Sequence, residues 1–348
     1  MKGVATPTLK DVAARAGVSF KTVSNVINNR MTEVSPETQE RVRDAIEALH
    51  YRPNIAARHL RRGRANVLAL VIPDLDNPYF TAISGAVISA AAAAGYTVLL
   101  DPTRGNRDNE LLISRGLSPH LLDGIILNPL SLDVEDIESD RVPVPIVLLG
   151  ERLIGAPRDH VVMDNVAAAR LATMHLLGLG RRRIAVLSAP KDEQDAMPTL
   201  RVQGYRTALA EAGVPIDPSL LDPVPPDAYR RVDGMQAIRR VLASGRPFDA
   251  VLCMNDMMAL GAMAVLREEG VRIPDDIAVV GFDDIEEGRY ATPPLTTIAP
   301  DKEEIGRLVV SLLRGRIEGT RTGPPGRFEP PYQLVVREST VGRGTGAV

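Results

Sequence analysis

A single cysteine, Cys253, stands in this chain, so no intramolecular disulfide can form and nothing marks an oxidising compartment. Tryptophan is absent, and the aromatic set is 5 Phe and 7 Tyr. A pocket built on stacked rings would therefore have to draw on Tyr79, Phe80, Phe282 or aliphatic side chains. The histidines His50, His59, His120, His160 and His175 show no HxxxH or HxH spacing and lie far from the cysteine, so neither a zinc site nor a Cys-His dyad is indicated. The sequence contains neither a G-x-S-x-G elbow nor a G-x-x-x-x-G-K-[ST] phosphate loop. No apolar run reaches the roughly 20 residues of a membrane span, and residues 1–7 lack the apolar core of a signal peptide. The expectation is a cytoplasmic, soluble protein that is not an enzyme and holds neither cofactor nor metal.

Charge, by contrast, is present and unevenly spread. Through Arg64 there are 12 Lys and Arg against 6 Asp and Glu, whereas residues 65–348 hold 29 against 38. A basic head favours phosphate contact that weakens as salt rises, and an acidic body is repelled from DNA elsewhere.

The head also carries the clearest local signals. Thr8 and Asp11 have the spacing that lets two residues satisfy orphan amides at a helix start, predicting a first helix over 9–16. Gly17 permits a tight reversal, and Ser19 caps a second helix running to about Asn28. Val12, Ala13, Ala16, Val18, Val23 and Ile27 would pack these two helices, leaving Phe20, Lys21, Thr22 and Asn25 outward, where helix-turn-helix motifs reach base edges in the major groove. A third helix starts at Ser35-Pro36 and buries Val42, Ala45, Ile46 and Leu49. After the break at Tyr51-Arg52-Pro53-Asn54, residues 55–60 read as one or two helical turns, too short to persist alone, ending in Arg61, Arg62 and Arg64.

The segments LKDVAARAGVS, TVSNVIN and EALHYRPN and the run Ala57-Arg58-His59-Leu60 resemble the headpiece and hinge of the lactose-repressor (LacI) family of bacterial transcription regulators. The resemblance implies that Phe20, Lys21 and Asn25 read a half-site and that Ser19, Thr22, Ser24 and Asn28 lie near phosphates. Thr8, Arg30, Asn54, Ala57 and Arg58 fall in the same DNA-binding set. Leu60 matches a leucine that the family wedges, paired with its dimer mate, into the centre of a palindromic operator, opening the minor groove. The residues at 20, 21 and 25 depart from the combination of the best-known members. A homodimer on double-stranded operator DNA, acting as a repressor, is what the resemblance implies.

Beyond residue 64 the pattern alternates strand and helix. Strands are predicted at 67–72, 96–101, 124–127, 146–149, 183–188, 250–253 and 277–281, with helices ending at Gly95, Gly213 and Gly270. Such βα repetition predicts two doubly wound sheets with ligand contacts at the carboxyl ends of their strands. The resemblance extends through Asn77-Pro78-Tyr79-Phe80, Val162-Met163-Asp164-Asn165, Arg201 to Tyr205, Asn255 to Gly261, Val280 to Asp284 and Pro294 to Ile298. It implies an N-terminal all-α helix-turn-helix headpiece (1–52) and a hinge helix with linker (53–64). An α/β two-lobed effector domain like type I periplasmic binding proteins would span 65–340, and a polar tail 341–348 would be disordered. Lobe 1 would take about 65–162 and 299–330, lobe 2 about 163–295 and 331–340.

For a ligand between the lobes, Arg201 falls where the family places a guanidinium, whose fixed donors suit vicinal hydroxyls or a carboxylate. Asn255 and Asp283 follow strand ends and suit hydroxyl groups, while Phe80 offers a flat apolar wall. Asn77 is a further candidate, though an Asx residue before proline commonly just makes the turn. Asp256 reads as the cap of the next helix, and Cys253 as a buried small hydrophobe. Asp195 and Met197 stand where some purine-sensing members carry arginine and threonine, which argues against purine binding in their manner. A sugar or related metabolite is the expected effector. Its binding would close the body and alter the population of the hinge helix and hence operator affinity. Two alternatives stay open: a regulator answering to a protein partner, and a binding protein or enzyme with an incidental helical head.

Overall fold

The computed structural model describes residues 7–27, 34–51, 64–114, 121–138, 144–189, 196–223 and 229–342. The expectations for Asn28, Arg30, Asn54, Ala57, Arg58, Leu60, the helix over 55–60, Asp195 and the last residues of the tail lie outside that set. The chain divides into two compact units, Met1–Ala65 and Asn66–Val348.

In the first unit, α1 (Leu9–Ala16), α2 (Phe20–Ile27) and α3 (Pro36–Ala48) form three short helices. The Thr8 amide and hydroxyl both donate to Asp11 Oδ2 at 2.7 Å, and the hydroxyl bond foremost holds the Asp11 carboxyl below its ordinary range. Gly17 ends α1 with φ 63°, a left-handed turn a side chain would strain. The Arg41 guanidinium donates to Ala16 O at 2.5 Å, so α3 satisfies a carbonyl left open at that turn. Val12, Val23 and Val42 are wholly buried at the centre, joined by Ala13, Ala16, Val26, Ala45 and Tyr51.

The second unit holds two six-stranded sheets. Lobe 1 has the order β11-β5-β4-β3-β1-β2, built from β1 (Val67–Ile72), β2 (Thr97–Pro102), β3 (Gly124–Leu127), β4 (Ile146–Leu149), β5 (Asp159–Val161) and β11 (Arg327–Phe328). Every pair in it is parallel. Lobe 2 has the order β12-β10-β9-β8-β6-β7, from β6 (Ile184–Ala189), β7 (Leu221–Pro223), β8 (Ala250–Cys253), β9 (Ala278–Phe282), β10 (Thr296–Pro300) and β12 (Tyr332–Val335). Here β12 runs antiparallel to β10, while the other pairs are parallel. The central strands β3, β4, β8 and β9 are buried along their whole length, as strands covered on both faces must be.

The helices that matter for the site are α4 (Pro78–Ala93), α7 (Asn165–Gly178), α8 (Ala196–Glu211), α9 (Arg231–Ala243), α10 (Asp256–Glu268) and α12 (Lys302–Glu318); α5 (Arg107–Ser114), α6 (Val134–Glu138), α11 (Glu286–Arg289) and α13 (Glu338–Val341) are the other α-helices among the described residues of this unit. The chain crosses between sheets three times: after β5, between β10 and α12, and between β11 and β12. Helix α12 packs on α4 and on lobe 1 strands, Ile305, Val309 and Leu313 joining Ile83 and Val87 in that core.

Helices α9 and α10 approach so closely that a Cβ on Gly234 would overlap the Met258 backbone and one on Gly261 would overlap the Arg231 carbonyl. At the start of α10, the side-chain oxygen of Asn255 accepts from Met258 N at 2.8 Å. Asn255, not Asp256, is therefore the cap, because its backbone is extended while Asp256 is already helical. Cys253 is buried in β8, and burial pushes its thiol pKa up, so it is unreactive.

Candidate nucleic-acid interface and interlobe ligand site

At the start of α2 the Ser19 hydroxyl accepts from Thr22 N at 3.1 Å and lies 2.8 Å from the Thr22 hydroxyl. This cap turns the first residues of α2 away from the Val23 core, leaving Phe20 and Lys21 exposed and Thr22, Ser24 and Asn25 partly so. A serine-capped helix end that displays an aromatic, a cation and small polar groups has the shape and donors for phosphates and base edges in a major groove.

In the body, polar groups from both lobes converge where strand ends face one another. Arg201, on α8 of lobe 2, is 5 % exposed. Its Nε donates to Asn165 Oδ1 at 2.7 Å, its Nη1 donates to Met254 O, and its guanidinium carbon sits 3.9 Å from the Phe282 ring centroid. Asn165 opens α7, directly after the first crossing. Its Nδ2 donates to Met163 O at 3.3 Å, and Met163 N donates at 3.2 Å to Oε1 of Glu151, which follows β4 of lobe 1. Hydrogen bonds thus run from Glu151 on one lobe through the Met163 backbone and Asn165 to Arg201 on the other.

Asp283 follows β9 and is almost wholly buried. Burial pushes its carboxyl up to about 7, against the pull of Arg201 and Lys302, and Glu151 adds repulsion. Burial likewise raises Glu151 and the Tyr79 phenol, the latter also facing Asp283, Glu151 and Arg201. The set is therefore two carboxylates, a guanidinium, an ammonium and a phenol, which together offer both donors and acceptors.

Of the residues expected here, Arg201 and Asp283 share this cluster. Asn77 caps α4, accepting from Tyr79 N at 3.0 Å. The Asn255 side chain divides itself between Met258 N and Tyr229 O, the latter at 2.9 Å. Phe80 is half-buried, edge-on to Tyr79 at 5.3 Å and packed on the lobe 1 core. Phe282, considered as an aromatic platform, is fully buried beneath Arg201. Sequence reasoning missed Glu151 and Lys302. Glu151 follows a strand end, the position where contacts were expected, but Lys302 sits on the first turn of an ordinary amphipathic helix and carries no signal. Among the described residues no group of His, Cys, Asp and Glu could hold a metal, and no helix is long and apolar enough to cross a membrane.

Comparison with known proteins matches residues 8–54 to the family model for bacterial regulatory proteins of the lacI family, and residues 173–340 to a periplasmic binding protein-like domain. The HTH-type transcriptional regulator CelR of Thermobifida fusca is 38% identical over 344 residues, covering 96% of this chain and 98% of the relative. A solved complex of a transcriptional regulator CelR with cellobiose is 35% identical, with a TM-score of 0.70 over 96% of this chain and 99% of that one. The lac repressor dimer bound to operator and the anti-inducer ONPF is 30% identical, with a TM-score of 0.83 over 97% of this chain and 100% of the other.

Proposed function

We infer the function from one premise: this chain belongs to the lacI family of bacterial regulatory proteins. It is a DNA-binding transcription regulator, not an enzyme, with a helix-turn-helix head and a periplasmic-binding-protein-like body.

Within that frame, two copies of this chain bind a palindromic operator, α2 of each entering a major groove with Phe20, Lys21 and Asn25 toward bases and Ser19, Thr22 and Ser24 toward phosphates. Thr8, Asn28, Arg30, Asn54, Ala57 and Arg58 complete the contact set, and Leu60 opens the minor groove. Exposed Ile88 on α4, Leu99 on the edge strand β2 and Leu112 on α5 support pairing of the bodies, since apolar groups there gain from a partner surface. The effector is a neutral sugar held between the lobes by Arg201 and Asp283, with Glu151 and Tyr79 facing them and Phe80, Asn77 and Asn255 shaping the walls. A ligand that prefers one closure state shifts operator affinity by its difference in affinity for the two states.

The observation that carries this reading is the run of hydrogen bonds from Glu151 of lobe 1 through Met163 and Asn165 to the buried Arg201 of lobe 2. The test uses full-length protein and a palindromic duplex recovered by selection from random DNA. Fluorescence anisotropy is followed with and without cellobiose, the ligand of the solved relative. Wild type is expected to change its DNA affinity with sugar, and Arg201→Ala to bind DNA without responding. An unaltered response in Arg201→Ala removes this locus as the effector site.

A further inference from the structure

The corner after β9 has two consecutive aspartates in left-handed backbone, Asp283 at φ 105° and Asp284 at φ 47°. Residues other than glycine rarely adopt this conformation, and it persists only where the surroundings over-determine it. Lobe 2 supplies most of the restraint. Asp283 N donates to Ile298 O at 2.8 Å, Ile285 N donates to Asp256 Oδ2 at 2.9 Å, and Arg289 and Arg337 each lie 2.6 Å from an oxygen of the Asp284 carboxylate.

One restraint comes from the other lobe. Lys302 is the first residue of α12, which packs on α4 and the lobe 1 sheet, and its ammonium donates to Asp284 O at 3.1 Å. The side chain is half-buried, and burial lowers its pKa while Asp283, Asp284 and Asp256 oppose that shift. A cation placed between carboxylates at a partly desolvated seam interacts with them more strongly than in water.

We infer that Lys302 is a positioning residue that ties lobe 1 to the Asp283–Asp284 corner of lobe 2 and so sets how the Asp283 carboxylate is presented to a ligand in the cleft. The consequence for a ligand rests on reading the cleft as the effector site; the tie itself does not. Asp283 is faced by Arg201 from α8, Lys302 from α12, Glu151 from the segment after β4 and Tyr79 from α4, with Asp256 of α10 behind it. Removing the ammonium takes away one of the two cations that favour the ionised form, so its ionisation must move to higher pH.

The experiment compares wild type, Lys302→Met and Lys302→Arg as full-length, ligand-free proteins by hydrogen exchange. Met keeps the apolar stem, and Arg keeps the charge. Peptides covering 283–286 are expected to exchange about tenfold faster in Lys302→Met, the scale of losing one charge-assisted hydrogen bond, and to return toward wild type in Lys302→Arg. Peptides covering β8 should not change. Unaltered exchange at the corner overturns the tie, and equal acceleration in β8 assigns Lys302 a merely structural role. Calorimetric titration with cellobiose between pH 6 and 8 is the second arm: in Lys302→Met the pH midpoint of binding should move up. If Arg201→Ala still binds cellobiose like wild type, the cleft reading falls while the exchange result stands separately.

Discussion

Arg201 lies over the face of Phe282, its guanidinium carbon 3.9 Å from the ring centroid, while its Nε and Nη1 are held by Asn165 and the Met254 carbonyl. The ring beneath is fully buried, so the aromatic face serves the arginine and not a sugar. The planar fork is what this arrangement uses, and lysine cannot reproduce it. Arg201→Lys is therefore expected to abolish the sugar response while operator binding persists. Stability should fall by about 1–3 kcal/mol because a buried acceptor is left without a donor. Anisotropy titrations and calorimetric melting check the two halves independently.

Asp283 gives a pH signature. Its carboxyl ionises near 7 in the folded protein, chiefly because it is buried, against about 3.9 in an unfolded chain. Between those values the folded state holds a proton that the unfolded state has released, so this group's contribution to stability falls as pH rises from about 4 to 7, then stays level. Asp283→Asn removes that dependence and tolerates left-handed backbone. Its melting temperature relative to wild type should be several degrees higher at pH 8 than at pH 5, at roughly 2–4 °C per kcal/mol for a body of this size. Equal differences at the two pH values would remove Asp283 as the titrating group.

Much of this architecture was legible in the residues because it depends on short-range chemistry. The buried strands 67–72, 124–127, 146–149 and 250–253 are bounded by turn residues and appear with those bounds. Gly95, Gly213 and Gly270 all have positive φ, as their places after helices required. The short strands β5, β7 and β11 were not anticipated: two or three residues carry no periodicity, and each is fixed by its neighbour in the sheet. The cap at Asn255 went to the wrong residue because adjacent Asn and Asp are equally competent, and only backbone geometry chooses. In the cleft, Arg201 and Asp283 were named, but Lys302 was invisible, since its role depends on a corner contributed by the other lobe.

The α9–α10 contact predicts where small residues are indispensable. Gly234 and Gly261 each face the other helix's backbone, which cannot retreat as a flexible side chain could. Alanine has the higher helix propensity by about 1 kcal/mol, so on propensity alone Gly261→Ala would stabilise. Overpacking opposes it at about 1–3 kcal/mol or more, and contact with main chain belongs at the upper end. A lowered denaturant midpoint is expected, and a raised one would show that the helices separate easily.

Leu60 lies outside the described residues, yet its proposed wedge role has a clear consequence. Unstacking occurs only at the centre of a specific site, whereas non-specific binding rests on phosphate contacts. Leu60→Ala should therefore weaken specific binding far more than non-specific binding. Gel-shift titrations on the selected duplex and on a scrambled one measure both, and equal losses would count against the wedge.

Lys21 separates the two ways a cation meets DNA. It is exposed on the first turn of α2, beside the Ser19 cap. If it contacts a phosphate, Lys21→Ala weakens binding to all sequences alike and lowers the slope of log affinity against log salt by about 0.9 for each half-site. If it reads a base edge, the loss of about 1–3 kcal/mol is confined to one operator position, whose preference relaxes while the salt slope holds. The second outcome is expected, because the cap amides already offer donors to the backbone and leave the longer side chain free to enter the groove. Repeating the selection with the variant at two salt concentrations reads both quantities at once.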